Sequence, residues 1–243
     1  MELNEKVIRD KSNKLKKPKR KLFRQHAHDN PLLKNFNHYK PKLNESVELD
    51  LFFNKPLIDD KITVIDVGCG YGAFLVKLSQ LFPKKLCLGL EIRSKVYQYT
   101  KLLVESHKSN DMCHNIGVCR TNVMLHISNM FQKNQLEHIF ILYPDPHFKA
   151  CKRRMRIISD CMVAEYAYLL KKGGLIYNVT DVEEYHEYAK TVFSRNKLFD
   201  RMDQEMKEYK EIFHIIKYAT DESQKLNKRS TKPTRFGLIY RRI

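Results

Sequence analysis

Thr63-Val64-Ile65-Asp66-Val67-Gly68-Cys69-Gly70-Tyr71-Gly72 is the stretch on which the reading of this chain turns. Its β-branched start reads as a buried strand, and the glycines after it read as a turn that opens a helix. Glycine there permits positive φ and lets a ligand approach the backbone, while the helix N-terminus offers N–H groups that have no partner inside the helix. The spacing is G-x-G-x-G with an acid two residues earlier, and not the G-x-G-x-x-G that cradles a pyrophosphate. It suits a ligand with a sugar and an amino-acid group.

Outward from this turn the texture is uniform. From Lys61 onward short β-branched runs alternate with amphipathic stretches, which predicts an α/β fold with a mostly parallel sheet wound with helices. The expected strands are Thr63–Val67, Leu86–Leu90, Ile116–Arg120, His138–Leu142, Leu175–Val179 and a late pair near Ile212–Ile216 and Phe236–Tyr240. Apolar residues at three- and four-residue spacing predict helices over Gly72–Leu81, Ser94–His107, Met155–Leu170 and Glu183–Arg195, with Gly173-Gly174 as a helix stop. Residues 221–235 are polar enough for a mobile loop. The folded domain is expected over residues 45–243. Residues 1–44 read as a basic arm, partly disordered, in which KLKKPKRK (14–21) holds six Lys or Arg in eight residues.

In wound sheets of this kind ligands lie beyond the carboxyl ends of the strands, so the residues at those ends are the candidates. The second strand ends in Glu91, where a carboxylate is able to accept both hydroxyls of a ribose. The third ends at Thr121-Asn122, and the Asn122 amide has two readings, a reader of an adenine edge or a cap on the helix that follows. The fourth delivers Tyr143-Pro144-Asp145-Pro146-His147-Phe148-Lys149. Two prolines flank Asp145, fix φ on both sides and place its carboxylate on a stiff turn. A Pro-Asp-Pro alone is an ordinary surface turn; four strand ends that agree point to one cleft.

Lys and Arg total 45 against 28 Asp and Glu in 243 residues, a net charge of +17, which points to a polyanionic partner, nucleic acid before membrane surface. No run approaches the roughly 20 apolar residues of a membrane-spanning helix, and MELNEKVIRDK lacks an apolar signal core, so a soluble intracellular protein is expected. The basic arm reads as a nuclear import signal or a phosphate-binding extension. Six cysteines show no C-x-x-C pair, and Cys113, His114 and Cys119 lack a fourth ligand at zinc spacing; free, mostly buried thiols and no metal are expected. Lys149, Lys152, Arg153, Arg154 and Arg156 read as phosphate ligands beside the cleft, against the plainer reading of a solvated helix face.

Taken together, DVGCGYG, GLEIR, TN at the third strand end, YPDPHFK with its basic tail, RIIS, AEYAYLLKKGGLIYNVTD and a late TDE resemble the tRNA (guanine-N7)-methyltransferases in their eukaryotic form, over roughly residues 22–243. The resemblance implies a Rossmann-like class I methyltransferase fold with a seven-stranded sheet, and S-adenosylmethionine as cofactor. It places Gly68 and Gly70 near the amino-acid portion, Glu91 on the ribose and Asn122 near the adenine, with Ile92, Arg93, Val123 and Leu142 as further cofactor contacts and Thr220 and Glu222 as contributors to the cofactor and guanine site, where Glu222, like Asp145, is able to accept from the guanine N–H groups. Asp145 becomes the catalytic or guanine-orienting residue, and His28, His147, Lys149, Lys152, Arg153 and Arg154 the tRNA contacts. A WD-repeat propeller subunit is implied as partner, and the nucleus as location. The family's early Arg-Gln-Arg-Ala-His is here Arg24-Gln25-His26-Ala27-His28, which weakens one positive charge. Two other readings are an exocyclic-amine RNA methyltransferase, which calls for (Asn/Asp)-Pro-Pro-aromatic at this strand end, and a silent RNA-binding subunit, which needs neither the glycine turn nor Asp145.

Overall fold

The computed structural model describes residues 9–10, 12–26, 30–32, 39–41, 47–54, 59–203, 206–229 and 234–243. Strands β1 (Ile62–Val67), β2 (Leu86–Glu91), β3 (Ile116–Arg120), β4 (Leu136–Leu142) and β5 (Leu170–Thr180) pair in parallel. β6 (Phe199–Met202) and β5 both pair antiparallel with β7 (Phe236–Arg242). These described strands form one seven-stranded sheet in the order β3-β2-β1-β4-β5-β7-β6. The helices are α1 (Ala73–Leu81), α2 (Ser94–Lys108), α3 (Val123–Met130), α4 (Asp160–Leu169), α5 (Glu183–Ser194), α6 (Lys207–Tyr218) and α7 (Asp221–Arg229).

The central strands are mostly apolar because both faces of the sheet are covered. β2 is buried at every position and β1 at all but one. Alternate side chains enter two cores: Ile65, Leu88, Ile139 and Ile176 pack with Ile127, Val163 and Phe193 of α3, α4 and α5. Val64, Cys87, Phe140 and Tyr177 pack on the other face with Phe74, Leu78, Val104 and Phe213 of α1, α2 and α6. The Phe140 and Tyr177 rings stack at 4.6 Å.

Several expectations are corrected. Ile212–Ile216 lies in α6, not in a strand. Its buried members Tyr209, Phe213 and Ile216 recur at helical spacing, and a five-residue window hid that period. The penultimate strand is instead Phe199–Met202, whose FDRM carries two exposed charged residues and which forms by pairing with β7. Phe213 explains Gly237 in β7, since a methyl group there would lie 1.7 Å from its ring. Residues 221–229 are helix α7, not loop, and Thr220 caps it by accepting from the Ser223 N–H at 3.0 Å. α4 begins at Asp160, where the Ser159 hydroxyl accepts from Met162 N–H, and residues 150–155 form a separate 3₁₀ turn. Gly173-Gly174 does not stop a helix, which has ended at Leu169; the pair lies in β5 where the register jumps between Leu136↔Leu170 and His138↔Leu175.

Part of the described arm packs on the domain. Phe23 is fully buried against Tyr99, with ring centroids 5.7 Å apart, and Arg20 lies 3.7 Å over the Tyr71 ring and 2.9 Å from the Asp221 carboxylate. Lys14, Lys16, Lys17, Lys19 and Lys21 remain exposed around it. All six cysteines are free, and half of them, Cys69, Cys87 and Cys119, are buried, fewer than expected. Among the described residues no His/Cys/Asp/Glu group could hold a metal and no helix is long and apolar enough to cross a membrane.

Candidate active site

Chain order reverses at β1, which has β2 on one side and β4 on the other. Val67 is in register with Leu90 and with Ile141, so three strands end together and leave a crevice at their carboxyl ends. The crevice is a cleft of about 590 Å³ lined by Gly68, Gly70, Glu91, Ile92, Arg93, Asn122, Val123, Leu142, Asp145, His147, Thr220 and Glu222, all of them expected from sequence.

The glycine turn has φ of 76° at Gly68, 56° at Gly70 and 81° at Gly72, a region that side chains disfavour. Gly68 and Cys69 donate to the Leu90 carbonyl at 2.8 and 3.1 Å, which ties the turn to β2. A Cβ at Gly68 would meet nothing within 4 Å and would project into open space, so the cradle is kept clear for a ligand. Glu91 is 2% exposed, and both its oxygens are held: Oε2 accepts from Gly70 N–H at 3.1 Å and from Arg93 Nη2 at 2.9 Å, and Oε1 from Arg93 N–H and Nε at 2.8 and 3.1 Å. Burial works against the Arg93 charge, yet the Glu91 carboxylate, with Asp145 adding, holds its proton more tightly than usual. Asp66 lies beneath, also buried; burial and then the Glu91 charge push its carboxyl up to about 8, so it is protonated at neutral pH. A buried acceptor at the end of β2, a clear glycine cradle and an acid behind them fit a ribose and an amino-acid group.

Asn122 is seen as a helix cap, and both atoms of its amide have protein partners. Its Oδ1 accepts from Met124 N–H at 3.1 Å and caps α3, while its Nδ2 donates to the Pro31 carbonyl at 2.5 Å. Pro31 and Gln25 line the same cleft, so the N-terminal segment supplies part of its wall. His28 lies outside the described residues.

The Asp145 turn is built differently. Tyr143 and His147 have positive φ, 52° and 45°, conformations that cost about 1–3 kcal/mol each for non-glycine residues and persist only where neighbours enforce them. Tyr143 N–H donates to the Val179 carbonyl at 2.6 Å and its hydroxyl to the Lys217 carbonyl at 3.0 Å. Asp145 is half-buried within the cleft, while Lys149, Lys152, Arg153 and Arg154 stand exposed outside it on the turn that follows. Arg156 is not with them. It is 2% exposed and donates Nε–H to the Pro146 carbonyl at 2.8 Å, which corrects its reading as a phosphate ligand.

Thr220 reaches the cleft as the cap of α7, and Glu222 pairs with Lys225 at 2.5 Å on its exposed side. Two acids in the cleft escaped the sequence reading. Asp181 follows the end of β5 and was legible by the same strand-end rule. Asp221 carried no local signal: its carboxylate meets Arg20 and the Ala73 N–H at the start of α1, contacts between distant parts of the chain.

A family model described as "Putative methyltransferase" matches residues 60–235. A tRNA (guanine-N(7)-)-methyltransferase of Drosophila ananassae is 39% identical over 230 residues, 93% of this chain and 88% of that one. One from Xenopus laevis is 38% identical over 246 residues, 93% of this chain and 89% of that one. The aminoglycoside resistance methyltransferase NpmB1 superposes with a TM-score of 0.50 at 14% identity, covering 76% of this chain and 90% of that one, a likeness of fold. Identity of this extent, carried by a chain whose glycine turn, Glu91 and Asp145 meet in one cleft, shows that it belongs to the tRNA (guanine-N7)-methyltransferase family.

Proposed function

We propose that this chain methylates N7 of the variable-loop guanosine of tRNA, using S-adenosylmethionine. The observation that carries this reading is the convergence of the cleared glycine cradle, Glu91 and Asp145 on one cleft with a basic turn at its rim.

When bound, S-adenosylmethionine supplies an electrophilic methyl carbon on a sulfonium. Gly68 and Gly70 hold its amino-acid portion, Glu91 its ribose hydroxyls, and Asn122 and Val123 its adenine, with Ile92, Arg93, Leu142, Thr220 and Glu222 completing the wall. Guanine N7 carries an in-plane lone pair and no proton. Transfer to it needs no general base; it needs the acceptor held in line with the methyl group. Asp145 does this by accepting from guanine N1–H and N2–H, and its negative charge offsets the positive charge that develops on the purine. Lys149, Lys152, Arg153 and Arg154 hold the tRNA backbone beside the pocket, with His147 at its rim, and recognition is of folded shape more than of sequence.

The proposal includes a WD-repeat propeller as accessory subunit and a nuclear location. Family membership supports the first, and the exposed lysines of residues 14–21 support the second. The experiment is incubation with labelled S-adenosylmethionine and tRNA transcripts that contain or lack the variable-loop guanosine, followed by chain cleavage at N7-methylguanine. Label on the first transcript only, mapping to that guanosine, is expected; equal label on both overturns the site.

A further inference from the structure

The basic segment after the Asp145 turn contains one arginine that behaves unlike its neighbours. Lys152, Arg153 and Arg154 are exposed, whereas Arg156 is 2% exposed. Its guanidinium lies 4.1 Å from the ring centroid of Tyr188 and 5.5 Å from that of Tyr185. Aromatic faces are good neighbours for a planar cation, yet a cation taken out of water still loses hydration, and an apolar residue would fill the same space without that loss. A buried arginine here therefore does something that an apolar residue could not. Its hydrogen bond indicates what that is, because Nε–H donates to the Pro146 carbonyl at 2.8 Å.

That bond spans ten residues and closes the base of the loop whose tip carries Lys152, Arg153 and Arg154. At the Arg156 end the chain is firmly held. The Tyr166 hydroxyl donates to the Ile157 carbonyl and the Tyr188 hydroxyl to the Ile158 carbonyl, both at 3.1 Å, and Ile158 is fully buried. At the other end Pro146 follows Asp145 directly and has no N–H, so its own backbone grip on the rest of the fold is made through its carbonyl. His147 next to it sits at a positive φ of 45°, a conformation that needs outside support.

We propose that Arg156 is a positioning residue for methyl transfer: through the Pro146 carbonyl it fixes the turn that presents Asp145, and it binds no tRNA phosphate. This rests on the reading of Asp145 as the residue that orients guanine. A guanidinium this deeply buried offers a phosphate almost no surface, whereas a displacement of the carboxylate by about 1 Å is enough to cost on the order of 100-fold in rate.

The test compares single-turnover methylation of tRNA by wild type, Arg156→Gln, Arg156→Lys, Asp145→Asn and the double variant Asp145→Asn/Arg156→Gln, together with KM for tRNA at several salt concentrations, cofactor Kd and thermal midpoint. For Arg156→Gln the rate is expected to fall about 30- to 100-fold, with KM, its salt slope and cofactor Kd within about threefold of wild type. Arg156→Lys recovers part of the rate, and the Arg156→Gln loss largely disappears in the Asp145→Asn background, because the arginine acts through that carboxylate. A raised KM with a flatter salt slope and intact rate overturns the proposal in favour of a phosphate ligand. A fall in thermal midpoint and cofactor affinity in step with rate, in the lysine variant too, overturns it in favour of a general structural role. Wild-type rate in Asp145→Asn breaks the reading of Asp145 itself, while a slow Asp145→Asn beside a fast Arg156→Gln breaks only the inference about Arg156.

Discussion

Glu91 and Asp145 stand at the ends of the two strands that flank β1, and they are held by opposite means. Glu91 is buried, and its carboxylate is itself gripped: it accepts from the Gly70 N–H, 21 residues back in the chain on the adjoining turn, and from Arg93 two residues on. Asp145 is half-buried on a turn with positive φ at Tyr143 and His147, and that turn is held through its backbone and the Tyr143 hydroxyl, by the carbonyls of Val179 and Lys217 and by Arg156. The contrast fits the two proposed roles. A cofactor pocket gains from a preformed wall whose carboxylate is already satisfied, whereas a carboxylate proposed to take up the acceptor base of a large folded RNA has to stay open to it, beside the cations proposed to hold the phosphates.

The largest expected effect tests the Asp145 half. Asp145→Ala is expected to lower turnover by about 1,000-fold or more while cofactor Kd stays within about threefold, because the contacts proposed for this carboxylate are to the guanine. Isothermal titration with the cofactor beside a methylation assay checks both parts, and wild-type turnover would sink the assignment. Glu91→Ala should do the converse and more broadly. It removes the proposed ribose ligand and the Arg93 ion-pair partner, so cofactor Kd is expected to rise about 100-fold and stability to fall by about 3 kcal/mol. Unchanged cofactor affinity would break the comparison at its better-ordered end.

His138 lies on β4, the strand that leads into the Asp145 turn, partly buried with its ring tilted 4.6 Å from Phe82 and stacked on Phe140 and Tyr177 at 6.3 and 6.1 Å. Burial, with Lys85 and Lys171 adding, pushes its imidazole down to about 3. The unfolded chain takes up a proton near pH 6.5 that the folded chain refuses, so this stability is present above about pH 6.5 and is lost as pH falls toward 3. His138→Phe keeps an aromatic ring against Phe82, Phe140 and Tyr177 and is expected to remove about 2 kcal/mol of the acid destabilisation at pH 5, with methylation at neutral pH unchanged. The chain has no tryptophan, so circular-dichroism melts at pH 5 and 7 are the measurement. Identical pH dependence in variant and wild type would refute it. The smallest effect belongs to the exposed rim. Lys152→Gln with Arg153→Gln should raise KM for tRNA by about tenfold at moderate salt and flatten the salt slope by about two, without a change in kcat.

What was legible in the sequence was whatever a short window contains. The glycine turn, the strand end at Glu91 and the prolines around Asp145 each declare themselves within a few residues, because φ preferences and side-chain periodicity are local properties. The alternation of strand and helix likewise determined the wound sheet, and the motifs along it determined the family. Misread segments were those whose state is decided by what they pack against. FDRM is a strand only because β7 offers it an edge; 221–229 is a helix that brings Asp221 to Arg20 and α1; Phe23 turns a basic tail into a packed segment. Arg156 shows the same division within one motif. As letters it is one more cation in a basic run, and only the fold, by burying it among tyrosines and aiming its Nε at Pro146, separates it from the exposed cations around it. Charge is written in the sequence, but whether a charge meets water, a phosphate or a carbonyl depends on burial, which is a property of the assembled chain.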